Sequence, residues 1–235
     1  MPDYPKFGVW PDGYYMTINQ FAPPSLGFAG AGVCAFDRAA MLSGDPNAAM
    51  LFFNLGTAYG SLLPADVDGA TLPPTGSPNY LANLTTTSLR LFQADIDWVT
   101  PGNSSISING TLPVQSYSYS GLTINQPGTS QTLDPLATRL MFRLQYRNFG
   151  SYQVMLTNHT VNADGNGQAG VRWYEMRNYG RGWSIYQQGT YAPNDGVDRW
   201  MASVAMNGNG DIAVGYSASG TSTYPAVRCA GQTAA

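Results

Sequence analysis

Apolar and polar residues alternate in short runs along this chain, and each run ends at a turn signal. From Phe7 to Phe21 the chain reads as two β-rich stretches flanking Pro11-Asp12-Gly13. Pro presets φ for a tight turn and Gly accepts positive φ, so this segment predicts a hairpin. A third strand is expected at Ala31 to Phe36, and Asp37 to Leu42 fits a short helical turn. Residues 43 to 80 carry Gly44-Asp45-Pro46, Pro64, Pro73-Pro74 and Gly76-Ser77-Pro78, a density of breakers that predicts a long excursion over one face. Strand patterning resumes at Leu89, Leu91, Phe92, Ile96 and Trp98, and Ser104 to Ile108 alternates with period two.

The second half is more regular. Leu140 to Tyr146, Tyr152 to Val161 and Gly170 to Arg177 form a three-stranded block with turns at Asn148-Phe-Gly150 and Asp164-Gly-Asn-Gly167. A fourth block is expected from Trp183 to Tyr191, Trp200 to Met206, Ile212 to Ser219 and Pro225 to Ala230, around the turn Asn207-Gly-Asn-Gly-Asp211. Strands grouped in threes and fours, with turns inside each group and connections between groups, are the signature of radial repetition. The fold class is therefore all-β, a β-propeller or propeller fragment of about four antiparallel blades, with a β-sandwich as the alternative. Residues 1–235 are expected to form one propeller-like domain, or a segment of a larger propeller whose open blade edges would favour self-association.

Composition supports that picture and removes several functions. Charged residues make up 11% of the chain, with Glu175 the only Glu and Lys6 the only Lys, so no solvated helix can be built from Glu–Lys pairs. A net charge of −3 with dispersed cations excludes a nucleic-acid footprint. No apolar run is long enough to span a membrane, and the first ten residues carry no signal-peptide pattern. Cys34 and Cys229 make no CxxC motif; buried thiols are expected, with a disulfide between the first and last blades as the alternative.

Candidate chemistry centres on carboxylates near aromatic and cationic partners. Asp95 and Asp97, in Ala-Asp-Ile-Asp-Trp, project to one face of a strand, where mutual repulsion raises the pKa of one of them; the alternative is that they cap a turn or stay solvated. Asp66 and Asp68 share that spacing in the expected long loop, where calcium is an equal alternative. Asp195, Asp198, Arg199 and Trp200 combine carboxylates, a bidentate fork and a flat ring able to stack on sugar, with a structural ion pair beside a packed Trp as the leading alternative. Glu175 lies between Trp173-Tyr174 and Met176-Arg177, neighbours that suit a general acid; a solvated strand Glu paired with Arg172 or Arg177 is as economical. Asp198, Glu175 and Asp97 are thus the catalytic candidates, and Arg199, Trp200, Arg172 and Tyr191 the substrate-binding ones. His159, the only His, is expected to be a hydrogen-bonded strand residue, and no metal-ligand spacing is present.

The stretch from Arg199 to Ser217 resembles the hairpin of sialidase-like, Asp-box β-propellers, in which a small-residue strand enters an Asn/Asp-Gly turn and leaves toward Tyr-Ser. Through Phe7 to Phe21, Asp134 to Thr160 and Val171 to Ser219, the chain is similar to uncharacterised propeller segments of large secreted bacterial proteins. The resemblance implies a propeller and an extracellular setting. Asn207 stands where the Asp-box has its Asp, and the family's Arg-Ile-Pro is missing, so no catalytic residue is carried over. Three readings stay open: a glycosidase using a carboxylate pair, a non-catalytic carbohydrate-binding propeller, and a structural segment.

Overall fold

The computed structural model describes residues 1–234 and contains 57% strand and 3% helix. Four meanders follow one another. The first is β1 (Pro2–Val9), β2 (Gly13–Ala22), β3 (Gly27–Asp37) and β4 (Met50–Gly56), all antiparallel neighbours in that order. The second is β5 (Leu63–Asp68), β6 (Asn79–Leu84), β7 (Ser88–Asp95) and β8 (Ser105–Pro113). The third is β9 (Met141–Asn148), β10 (Gln153–Asn162), β11 (Ala169–Asn178) and β12 (Trp183–Tyr191). The fourth is three-stranded: β13 (Asp198–Met206), β14 (Ile212–Gly220) and β15 (Thr223–Gln232).

The first strands of the meanders are neighbours in the order β1, β5, β9, β13, which is the plan of propeller blades around an axis. β5 takes part in two pairings: Leu63 and Pro64 pair antiparallel with β6, and Ala65 to Asp68 then pair in parallel with Leu144 to Arg147 of β9. Proline sits at this changeover, where the chain leaves one partner for the other, so its missing N–H interrupts neither ladder mid-run. β1 packs on β5 so closely that a Cβ on Gly8 would lie 2.4 Å from the Ala65 carbonyl oxygen.

Side chains on the polar face of these inner strands form one network. Arg143 bridges Asp66, at 2.5 Å, and Asp68. The Val9 N–H donates to Asp66 Oδ1 (3.0 Å), tying in β1. Gln145 donates through Nε2 to Asp68 and to the Met206 carbonyl (3.0 Å), and accepts from the Met206 N–H (2.6 Å), tying in β13. Burial alone would raise the Asp68 carboxyl, but the hydrogen bonds from Arg143 and Gln145 and the charges of Arg143 and Arg147 hold it below its ordinary value.

The core lies between blade faces. Leu81, Leu91, Leu144 and Met176 are buried in one cluster that joins the first three blades. Within it Trp10 meets Tyr146 edge-on at 4.7 Å, and Tyr80 meets Trp183 edge-on at 5.2 Å. Val154 and Leu156 of β10 pack against Val204, Met206 and Ile212 to join the third and fourth blades.

Several expectations change. The excursion over residues 43 to 80 holds β4 and β5, so only 69 to 78 is a long loop, and Asp66 and Asp68 are strand residues. The Arg143 guanidinium bridges those carboxylates, engaging an oxygen of each and offsetting part of the charge a calcium ion would use. Trp183 to Tyr191 pairs with β11 and closes the third blade instead of opening the fourth. Cys34 is buried in β3, Cys229 is exposed on β15, and both are free thiols. The hairpin at Phe7 to Phe21, the helical turn (Arg38–Leu42) capped by Asp37, and the turn Asn207 to Asp211 form as expected. No helix among the described residues is long and apolar enough to cross a membrane.

Because the β1–β5 approach leaves no room for a side chain, Gly8→Ala is expected to cost about 1–3 kcal/mol, the usual penalty of overpacking. Urea unfolding measures it, and a change below about 0.5 kcal/mol would show that the strands separate freely.

Candidate functional site

A cleft of about 470 Å³ opens between the first two blades, beside the ends of β1 and β5. Three segments wall it: the β1–β2 turn with Asp12, the loop Leu72 to Pro78, and the end of β7 with Asp95 and Asp97. Trp10 fixes their arrangement. Its ring is fully buried and its Nε1–H donates to the Ser77 carbonyl (3.0 Å), fastening the proline-rich loop to the first blade. Pro73, Pro74 and Ile96 supply apolar wall.

The carboxylates of this cleft sit in opposed environments. Asp12 Oδ2 accepts from the Tyr15 hydroxyl (2.9 Å), while Oδ1 is buried with no donor. Burial pushes its pKa up, and the Tyr15 bond opposes that only in part. Tyr15 is itself buried, and burial together with the nearby charges of Asp12 and Asp95 keeps its hydroxyl protonated far above the ordinary range. Asp97 is the reverse case. The Thr100 N–H (2.8 Å), Asn103 Nδ2 (3.0 Å) and the Val99 N–H (2.9 Å) all donate to it, holding its carboxyl below the usual value. Asp95 accepts from Gln93 Nε2 at 2.9 Å.

Of the sequence candidates, the cleft takes in Asp97 together with its neighbour Asp95. Glu175 is fully buried in β11, paired with Arg177 (2.5 Å) and bonded by Gln187 (2.6 Å). Asp198 is buried at the start of β13, where it accepts the Ala169 N–H (2.9 Å) and where burial raises its pKa. Arg199 is buried and forks onto Asp195 at 3.0 and 2.7 Å, which lowers the Asp195 pKa to about 2. Trp200 is only 5% exposed and packs with Ile124 and Ala169, so its ring presents no face for stacking. Arg172 donates to Thr190 Oγ1 (2.6 Å) and to the Gln115 carbonyl, and Tyr191 packs against Tyr216. These side chains lie on β11, β12 and β13, apart from the cleft.

His159 is buried. Its Nδ1 faces the Thr160 carbonyl and must carry the proton, so Nε2 accepts from the Tyr174 hydroxyl (2.8 Å); burial pushes its pKa down to about 3. Asp12 is the residue that sequence reasoning missed. In the sequence Pro11-Asp12-Gly13 reads as turn chemistry, and only the packing of Tyr15 against it distinguishes the Asp12 carboxyl. Among the described residues no three His, Cys, Asp or Glu side chains gather to hold a metal.

No family model matches the sequence, and no curated protein does. Among solved structures, an endo-arabinanase of family GH43 from Bacillus licheniformis is similar over 97% of this chain and 72% of its own, at 10% identity and a TM-score of 0.43. An endo-arabinase from Bacteroides thetaiotaomicron VPI-5482 is similar over 95% and 72%, at 14% identity and 0.39. A native arabinanase from Bacillus subtilis covers 97% and 72%, at 12% identity and 0.37. Likenesses this distant carry no activity to this chain.

A carboxyl titration followed by ¹³C NMR is expected to place Asp12 above and Asp97 below the ordinary Asp value of about 3.9. Tyr15→Phe removes a donor to the charged form and so raises Asp12 further. In the folded protein Asp12 binds its proton more tightly than in the unfolded chain. Its contribution to stability is therefore full below about pH 4 and falls as pH rises through its folded value. Coincident titration of the two carboxyls would contradict this.

Proposed function

We propose that this cleft binds a glycan and hydrolyses a glycosidic bond, with Asp12 as general acid and Asp97 as the ionised partner. The observation that carries the reading is the split between two carboxyls in one cleft, one pushed up by burial and one pulled down by three donors. Glycoside cleavage needs that division of labour: one carboxyl protonates the departing oxygen while the other acts on water or on the anomeric carbon. In this scheme Asp12 gives its proton to the leaving oxygen as the C–O bond breaks. Asp97 takes a proton from the water that adds to the anomeric carbon, and solvent then restores both carboxyls. Apolar walls from Pro73, Pro74 and Ile96 suit the flat faces of sugar rings, and Asn103 suits their hydroxyls. Such a protein would work outside the cell.

Asp12→Asn preserves shape and removes the proton. The expected result is a loss of about 10²- to 10⁴-fold in release of reducing ends from the preferred polysaccharide, the range for general acid–base catalysis. A loss below about tenfold in a folded variant would remove Asp12 from the mechanism. Glycan binding at the cleft with no turnover in the wild type would make it a carbohydrate-binding site only.

A further inference from the structure

Where the third blade meets the fourth, a second cavity of about 190 Å³ is lined by Tyr152, Arg177, Tyr186, Gln187, Asn209 and Gln232. Its geometry depends on a β-bulge. β11 pairs Glu175 with Gln187 and Met176 with Ile185, leaving Tyr186 as the extra residue on β12. Bulges of this kind re-aim a side chain, and Tyr186 is 52% exposed. The Arg177 guanidinium lies over the ring of Tyr186, 3.4 Å from its centroid, and over that of Tyr152 at 4.5 Å. Tyr152 in turn stacks with Phe149 at 5.0 Å and with Tyr179 at 5.4 Å.

Behind this rack, Glu175 is fully buried and takes the Arg177 Nε–H, while Gln187 holds its other oxygen. Glu175 therefore positions and neutralises Arg177. The hydrogen bonds to Glu175 and to the Tyr179 hydroxyl engage two of the five guanidinium donors, and among the described residues the others have no protein acceptor. The result is a site with a half-exposed ring that Arg177 covers on one face, free N–H donors and amide side chains, in which Glu175 compensates the charge of Arg177. That chemistry fits a neutral polyhydroxylated ring better than an anion, because the guanidinium is already compensated.

We infer that this junction is a second, non-catalytic glycan-binding site, specific for neutral sugars stacked on Tyr186 and hydrogen-bonded by Arg177 and the amides of Gln187, Asn209 and Gln232. It is independent of the cleft chemistry and shares with that reading only the class of ligand.

Calorimetry with xylotetraose, cellotetraose and arabinotetraose, and with a galacturonate tetramer as the charged comparison, tests it. At least one neutral tetramer should bind, with Tyr186→Ala weakening it at least fivefold and Tyr186→Phe holding within about twofold. All titrations are run in the Asp12→Asn background, which blocks turnover at the cleft, and the part of the binding that Tyr186→Ala removes is assigned to this site, so failure of the cleft mechanism and failure of this site are separable. Binding insensitive to Tyr186→Ala, preference for the galacturonate tetramer, or no binding of any neutral tetramer at millimolar concentration would each overturn the inference. Tyr186 is largely exposed, so its replacement leaves the fold intact, and a matching circular dichroism melt verifies that.

Discussion

The bridge from Arg143 to Asp66 and Asp68 is the contact on which the arrangement of the blades depends. Blades hold themselves together by strand ladders, but their inner strands have few ladder partners around an axis, and among the described residues only β5 and β9 hydrogen-bond there as strands. The remaining joints are made by side chains: Asp66 to the backbone of β1, and Gln145 and Arg147 to Met206 at the end of β13. The bridging side chains are about a fifth exposed. Loss of a partner should therefore cost more than the 0–1 kcal/mol of a surface pair and less than the 3–5 kcal/mol of a fully buried one. Gly8 makes the joint possible by letting β1 come within backbone contact of β5.

The cleft inherits its shape from that joint. β1 leads directly into Trp10 and the Asp12 turn, and β5 leads into the loop that Trp10 fastens through Ser77. Once the two strands are fixed, Asp12 lies over buried Tyr15 and across from the end of β7. Its carboxyl loses water without gaining a full set of donors, whereas Asp97 receives three donors from its own turn. Electrostatic contrast at the cleft is thus a consequence of how the first two blades meet. The Tyr186 site arises in the same way from the meeting of the third and fourth.

Much of the architecture was legible in the chain. The turns at Pro11-Asp12-Gly13 and Asn207 to Asp211 carry their own chemistry, and the alternation of β2 and β13 reports one buried face each. β5 was hidden because Pro64 and two Asp residues read as loop, and only the switch of partners at Pro64 and the presence of Arg143 on β9 make them strand residues. Trp183 to Tyr191 could be recognised as a strand but not assigned to a blade, since a meander pattern does not say where one blade stops. The candidate site was legible only at Asp95 and Asp97. At Trp200 and Arg199 the structural alternative holds, an ion pair to Asp195 beside a packed ring, and Glu175 pairs with Arg177 as its alternative reading had it, but fully buried instead of solvated.

Hydrogen exchange followed by mass spectrometry on Arg143→Gln tests the axial joint most directly. If the bridge couples the inner strands, amides of β1, β5, β9 and β13 lose protection together, while the blade interiors around β2, β7 and β10 keep theirs. Loss confined to β5 and β9, with β1 and β13 as protected as in the wild type, would contradict the account.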